Sequence, residues 1–163
     1  MRPKLKIPLT TTDWVFEIVA LLGIILTIGY FFLFYSNLPD IIPSHYNLSG
    51  QPNAVGKKSL LIVLVSIAIV IYLIMTIAAR FPYIFNFPFE ITVDNAETQY
   101  KNAVRFMRVL KTLVTLVFFY IIFTSIQNGL GKMQGIESWF IPVVLLSMLV
   151  VVGSFIYRAF RLR

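Results

Sequence analysis

Cysteine is absent from this chain of 163 residues, histidine occurs once, and charged side chains make up 13% of it. The first absence excludes disulfides, thiolate nucleophiles and thiolate metal sites. The single histidine, His45, excludes most catalytic constellations; its neighbour Ser44 does not make a triad, which is defined by geometry that adjacency does not supply. The shortage of charge excludes an ordinary soluble domain, in which about a quarter of residues are ionisable. What fills the space is apolar: 58% of residues are hydrophobic, and the mean hydropathy is +0.84.

The apolar residues are gathered into four runs, at about 14–36, 60–79, 112–128 and 139–157. Each approaches or exceeds the ~20 residues that cross a hydrocarbon core. The first is longer than a signal-peptide core and no small-residue cleavage motif follows it, so it is expected to stay as a helix. The expected fold is all-α: a single domain, 1–163, forming an integral membrane four-helix bundle.

Basic residues set the expected topology. Of the 14, three precede the first span (Arg2, Lys4, Lys6), five lie in the second loop (Arg80, Lys101, Arg105, Arg108, Lys111), and three end the chain (Arg158, Arg161, Arg163). The first loop has only Lys57 and Lys58, and the third only Lys132. The positive-inside rule then places both termini in the cytoplasm of a multi-pass cell-membrane protein, with loop 37–59 outside and loop 80–111 inside. Spread over flanks in this way, the net charge of +7 reads as topology, and no nucleic-acid partner is expected.

Local signals refine the spans. Thr12 or Asp13 is the expected N-cap of the first, and Trp14 an interfacial anchor. Glu17, an acid one turn inside, is a functional candidate by default. The competing reading, which we favour, is that it pairs with an Arg or Lys of the second loop or with the helix N-terminus. Gly23 and Thr27 form a small-xxx-small pair suited to close packing. The second span carries no charge and shows no ion relay.

Pro82 and Pro88 keep the start of the second loop irregular among its aromatics. Asp94-x-x-Glu97 has the form of a capping box, opening a helix from Asn95 to about Gln127 of ~50 Å. This is longer than a membrane is thick, so a helical extension of the third span is expected in the cytoplasm. Glu97, Lys101, Arg105 and Arg108 share a stripe on it, with Glu97 and Lys101 in the favourable order for an ion pair. The three bases are expected to meet anionic lipid, the alternative being a cytoplasmic partner. Ser138 is the expected cap of the last span.

The polar stretch 38–58 between the first two spans holds His45 and three of the eight prolines. We expect a loop without regular secondary structure but ordered: prolines restrict it, glycines allow its turns, and Asp40 and Asn47 bond its backbone. Ile41, Ile42, Tyr46 and Val55 are expected to pack it back onto the helices. Asp40, His45 and Asn47, with Glu137 of the opposing loop, are the available metal ligands, but they lack the spacing of a metal site. No cofactor is expected.

Leu38-Pro39-Asp40-x-Ile42-Pro43-x-His45-Tyr46-Asn47-x-x-Gly50-x-Pro52, followed by Gly56-Lys57-Lys58, resembles the signature loop of the DUF1648 family of bacterial membrane domains. Asn86-x-Pro88 and Asn95-x-x-x-Gln99-Tyr100, with Arg105 beyond, are similar to that family's cytoplasmic segment. The same domain forms the N-terminal part of SdpI-like immunity proteins, which protect a cell from its own secreted toxic peptide. Pro52-Asn53 departs from a common Pro-Asp and removes a carboxylate.

The resemblance implies a non-enzymatic protein that recognises a peptide or small ligand at the outer loop, in immunity or signal sensing. Its candidate ligand residues are Pro39, Asp40, Pro43, His45, Asn47, Gly50, Gly56 and Lys57, and its cytoplasmic motif is Asn86, Pro88, Asn95, Gln99, Tyr100 and Arg105. Expected partners are the lipid bilayer, a secreted peptide or a membrane protein, and a second copy of the chain. An accessory subunit of a membrane complex is the alternative; a metal-dependent enzyme or transporter is the third.

Overall fold

A computed structural model describes residues 2–162. Its elements, in chain order, are helix α1 (Thr11–Phe34), strands β1 (Ile41–Tyr46) and β2 (Pro52–Lys57), and helices α2 (Leu60–Ala78), α3 (Val93–Gly129) and α4 (Phe140–Arg161). All four helices are long and apolar enough to cross a membrane, and their outward faces carry exposed Leu, Ile, Val and Phe. Such faces suit a hydrocarbon solvent, where only a helix or closed barrel satisfies its own backbone. The protein is thus multi-pass, and a lipid bilayer is its environment.

The helix starts are corrected by geometry. Thr10, not Thr12 or Asp13, caps α1, and Asp13 is its N3 partner, returning a bond to the Thr10 backbone. Likewise Thr92 caps α3 with Asn95 at N3, so the box lies two residues upstream of Asp94 and Glu97. Two threonines with extended backbone won over the acids because the cap must lie outside the helical φ/ψ region. Ser138 does not cap α4, which opens after Trp139 with no side-chain cap. That helix runs on to Arg161, a turn beyond the expected end.

α3, with 37 residues and so ~55 Å long, is the spine: α1, α2 and α4 each pack on it. Gly23 of α1 lets Thr115 of α3 approach so closely that an added Cβ would lie 2.9 Å from its methyl, and Thr27, one turn on, is fully buried. The expected small-residue seam is therefore the α1–α3 contact.

The main departure lies between α1 and α2. Loop 37–59 is not free of regular structure; β1 and β2 form an antiparallel hairpin with irregular register at Pro43/His45 and His45/Tyr46. Pro43 has no N–H to give to a ladder, and bulges accommodate such positions. The alternation that would have announced the strands is hidden by proline, glycine and the two bulges. Ile42 of β1 enters a core with Phe31, Leu38, Leu61, Val65, Ile122 and Ile126, which ties the hairpin to α1, α2 and α3.

Candidate functional site

Polar and charged side chains gather at two places, the hairpin at one end of the bundle and a charge cluster at the other.

The hairpin is held by its turn and by a socket. Asn47 Oδ1 accepts from the backbone N–H of Ser49 (3.0 Å) and Gln51 (2.9 Å), closing the turn as an Asx side chain does. Gly50 has φ +78 and is buried, and its carbonyl accepts from the Ile136 N–H at 2.8 Å. An added Cβ there would fall on the Ile136 carbonyl oxygen, and one on Gly135 (φ +128) would fall on that of Gly50. Asn128 of α3 completes the socket, donating to Gly135 O at 2.9 Å and accepting from Gly135 N at 2.5 Å. The Tyr46 hydroxyl is sealed beside Ser125 and Asn128 with no well-formed hydrogen bond. Burial pushes its titration up, only partly offset by those two neighbours.

Of the loop candidates, Pro39, Asp40, His45, Asn47 and Lys57 are exposed, Pro43 and Gly56 half-buried, and Gly50 buried. The structure does not gather them. Asp40 precedes β1 and His45 is its fifth residue, so they stand ~16 Å apart along an extended strand. Asp40 pairs with Lys58 Nζ at 3.4 Å, and Lys58 also donates to Leu38 O at 2.9 Å. His45 Nδ1 lies 2.5 Å from Asn53 Oδ1; Asn53, the residue that departs from the family pattern, is thus the histidine's partner. Among the described residues no cluster of three His, Cys, Asp or Glu could hold a metal, so Asp40, His45 and Glu137 do not form one.

What the hairpin offers is an edge. β1 lies against α3, while β2 pairs with β1 alone, and Pro52, Asn53, Ala54 and Val55 along it are exposed. Ile41 and Val55, expected to pack onto the helices, are instead 53% and 70% exposed, because they fall outside the one position, Ile42, that enters the core, and Leu48, in the turn, is 88% exposed.

At the other end α1 and α3 are joined by a ladder of ion pairs. Asp13 Oδ1 meets Arg105 Nε at 3.2 Å and Arg108 Nη1 at 3.4 Å. Glu17 takes Arg108 Nε at 3.3 Å and Lys111 Nζ at 2.6 Å. Lys111 is fully buried; its ammonium also donates to Thr76 of α2 at 3.0 Å and lies 5.0 Å from the Tyr72 ring. Helical spacing explains the fit: Asp13 and Glu17 are four apart, and Arg105, Arg108 and Lys111 three apart, so each set lines one face. Glu17 pairs with bases of the second loop region, as the sequence reading favoured. The lipid assignment of the stripe is corrected, because Arg105 and Arg108 turn to α1. Lys101 alone of the three bases remains outside the ladder, paired with Glu97 at 2.5 Å. Lys111 and Thr76 were not singled out; the three-residue rhythm from Arg105 to Lys111 was the available signal.

The remaining motif residues pin chain to chain. Gln99 donates to Ala159 O of α4 at 3.0 Å, and Tyr100 is fully buried against Phe87. Asn95 is the capping partner of Thr92 and also donates to Glu90 O. Asn86 and Pro88 are exposed.

An uncharacterized protein of Archaeoglobus fulgidus is 35% identical over 89 residues, which cover 50% of this chain and 49% of that protein. The chain thus spans about half the length of the curated relative it matches. No solved structure matches. Residues 22–71, from the middle of α1 through the hairpin into α2, match the model of a domain of unknown function, DUF1648. The chain carries a DUF1648 domain, and the hairpin lies at its centre.

Proposed function

We propose that the protein is a non-enzymatic recognition protein of the membrane, whose hairpin binds an extended peptide at the outer face. The observation that carries this reading is the unpartnered β2 edge on a hairpin whose other side is fixed to α3 and to residue Ile136. A free strand edge accepts another strand through main-chain hydrogen bonds, with side chains giving selectivity. A rigid mount lowers the ordering cost that binding must overcome. Exposed Val55 and Leu48 supply apolar contact, and the His45–Asn53 pair supplies a polar one.

The distribution of Lys and Arg supports an outward-facing hairpin with both termini in the cytoplasm. Immunity to a secreted toxic peptide and sensing of a peptide signal would both use this surface. A second reading, an accessory subunit of a membrane complex, draws on α4, where only Phe140 and Ala159 are buried. A stoichiometric partner copurifying in mild detergent would favour it.

The test is peptide-display selection against the full chain in nanodiscs. Enriched peptides should bind wild type and lose about tenfold or more in affinity to V55K and to H45A, one hot-spot contact each. No enrichment over empty nanodiscs, or binding indifferent to both substitutions, would sink the reading.

A further inference from the structure

Beside the ion-pair ladder, α1 and α2 part to leave a cleft of about 310 Å³. Its walls combine Trp14, Ile18 and Leu21 with Glu17, Arg108 and Arg80. Three features define what fits. The first is charge. The ladder sets Asp13 and Glu17 against Arg105, Arg108 and Lys111, and Arg80, exposed just past the end of α2, adds a further cation. Arg80 has no acidic partner among the described residues. Glu17 does line the cleft, but its carboxylate is taken up by Arg108 and Lys111. The cleft therefore carries surplus positive charge.

The second feature is donor geometry. Arg108 spends Nε on Glu17 and Nη1 on Asp13, which leaves Nη2 for a further acceptor, and a guanidinium suits phosphate through its planar fork. The third is the apolar wall. Trp14 is 55% exposed, Ile18 51% and Leu21 46%, continuous with the outward face of a membrane helix. An ion dissolved in water would gain nothing from that wall, whereas an acyl chain would.

We propose that this cleft seats one anionic phospholipid, its phosphate between Arg80 and Arg108 and its acyl chain along Ile18 and Leu21. This site is separate from the hairpin, at the opposite end of α1, and stands or falls independently of peptide recognition.

Trp14 provides the reporter. In the W139F chain it is the remaining tryptophan, so quenching by lipids brominated on the acyl chain reads occupancy of its surroundings. Purified W139F in detergent micelles would be titrated with brominated phosphatidylglycerol and with brominated phosphatidylcholine. The expected result is about a tenfold preference for phosphatidylglycerol, falling about fivefold in R80Q, the loss expected for one basic residue facing anionic lipid. K101Q, which removes a base of the exposed stripe, should keep the preference. Inorganic phosphate at millimolar concentration should not displace the lipid. Equal quenching by the two lipids, a preference unchanged in R80Q, a preference lost equally in K101Q, or displacement by free phosphate would each overturn the proposal.

Discussion

The two ends of this bundle are fastened by different physics. At one end α1 and α3 are joined through charge: two carboxylates, two guanidiniums and an ammonium interlocked by side chains. At the other end the hairpin meets the α3–α4 connection through backbone. There Gly50 and Gly135 approach so closely that neither tolerates a Cβ, and Asn128 supplies the side-chain bonds. A charge ladder holds two helices at a fixed register but needs every member present. A glycine contact needs no charge but admits no side chain. Substitution should therefore injure the ends in opposite ways, the first by removing atoms and the second by adding them.

The largest effect is expected at the ladder. Glu17→Leu leaves the fully buried Lys111 facing only Thr76 and the Tyr72 ring, and breaking one member of a buried pair costs about 3–5 kcal/mol. Denaturant unfolding in mixed micelles measures it. The double variant E17L/K111M should recover most of the loss, because removing both charges also removes their desolvation cost. A double variant as unstable as the single would mean that the end is held by packing and that the ladder is incidental.

The next effect belongs to the glycines. Gly50→Ala forces a Cβ onto a backbone carbonyl at a φ of +78, and strain of this kind costs about 3 kcal/mol with the contact included. The comparison is sharpened by where the damage appears. Hydrogen exchange should rise across residues 41–57 and the Ile136 amide while the α1–α3 contact keeps its protection, since local openings follow the local fastening. Uniform loss of protection through all four helices would mean that hairpin and bundle are one cooperative unit.

This contrast also explains what could be read from sequence. The helices were legible because membrane solvent imposes one pattern, an apolar run of sufficient length, and nothing in α1, α2 or α4 competes with it. The ladder was half legible. Asp13 and Glu17 on one face, with bases at Arg105, Arg108 and Lys111, announce a pairing by period alone, but the period does not say whether a helix face turns to lipid or to another helix. Arg108 was assigned to lipid for that reason.

The hairpin was the least legible. Its fastening depends on contacts distant in sequence, Gly50 with Ile136 and Asn128 with Gly135, and its ladder is interrupted at Pro43. Strand alternation is a signal only where one face is buried in register, and here Ile42 alone is deeply buried. The residues themselves announced that Asn47 bonds the turn backbone and that glycine allows the turn, but not that Asn53 stands against His45.

The smallest effect separates charge from burial. Glu97 and Lys101 are paired one turn apart at 2.5 Å, as close as any contact in the ladder, but their side chains are 64% and 51% exposed. Water and salt screen such a pair, and holding two long side chains together costs entropy that offsets the attraction. The variant E97Q/K101Q should unfold at the wild-type denaturant midpoint within error, at low and at high salt. A loss comparable to that of E17L would mean that ionic contact as such stabilises α3, whereas an unchanged midpoint assigns the strength of the ladder to its burial between α1 and α3. On that view Lys101 stays at the surface with Glu97, while Arg105, Arg108 and Lys111 are committed to the fold, and Arg80, which has no acidic partner among the described residues, joins the remaining donor of Arg108 as the proposed seat of an anion in the cleft.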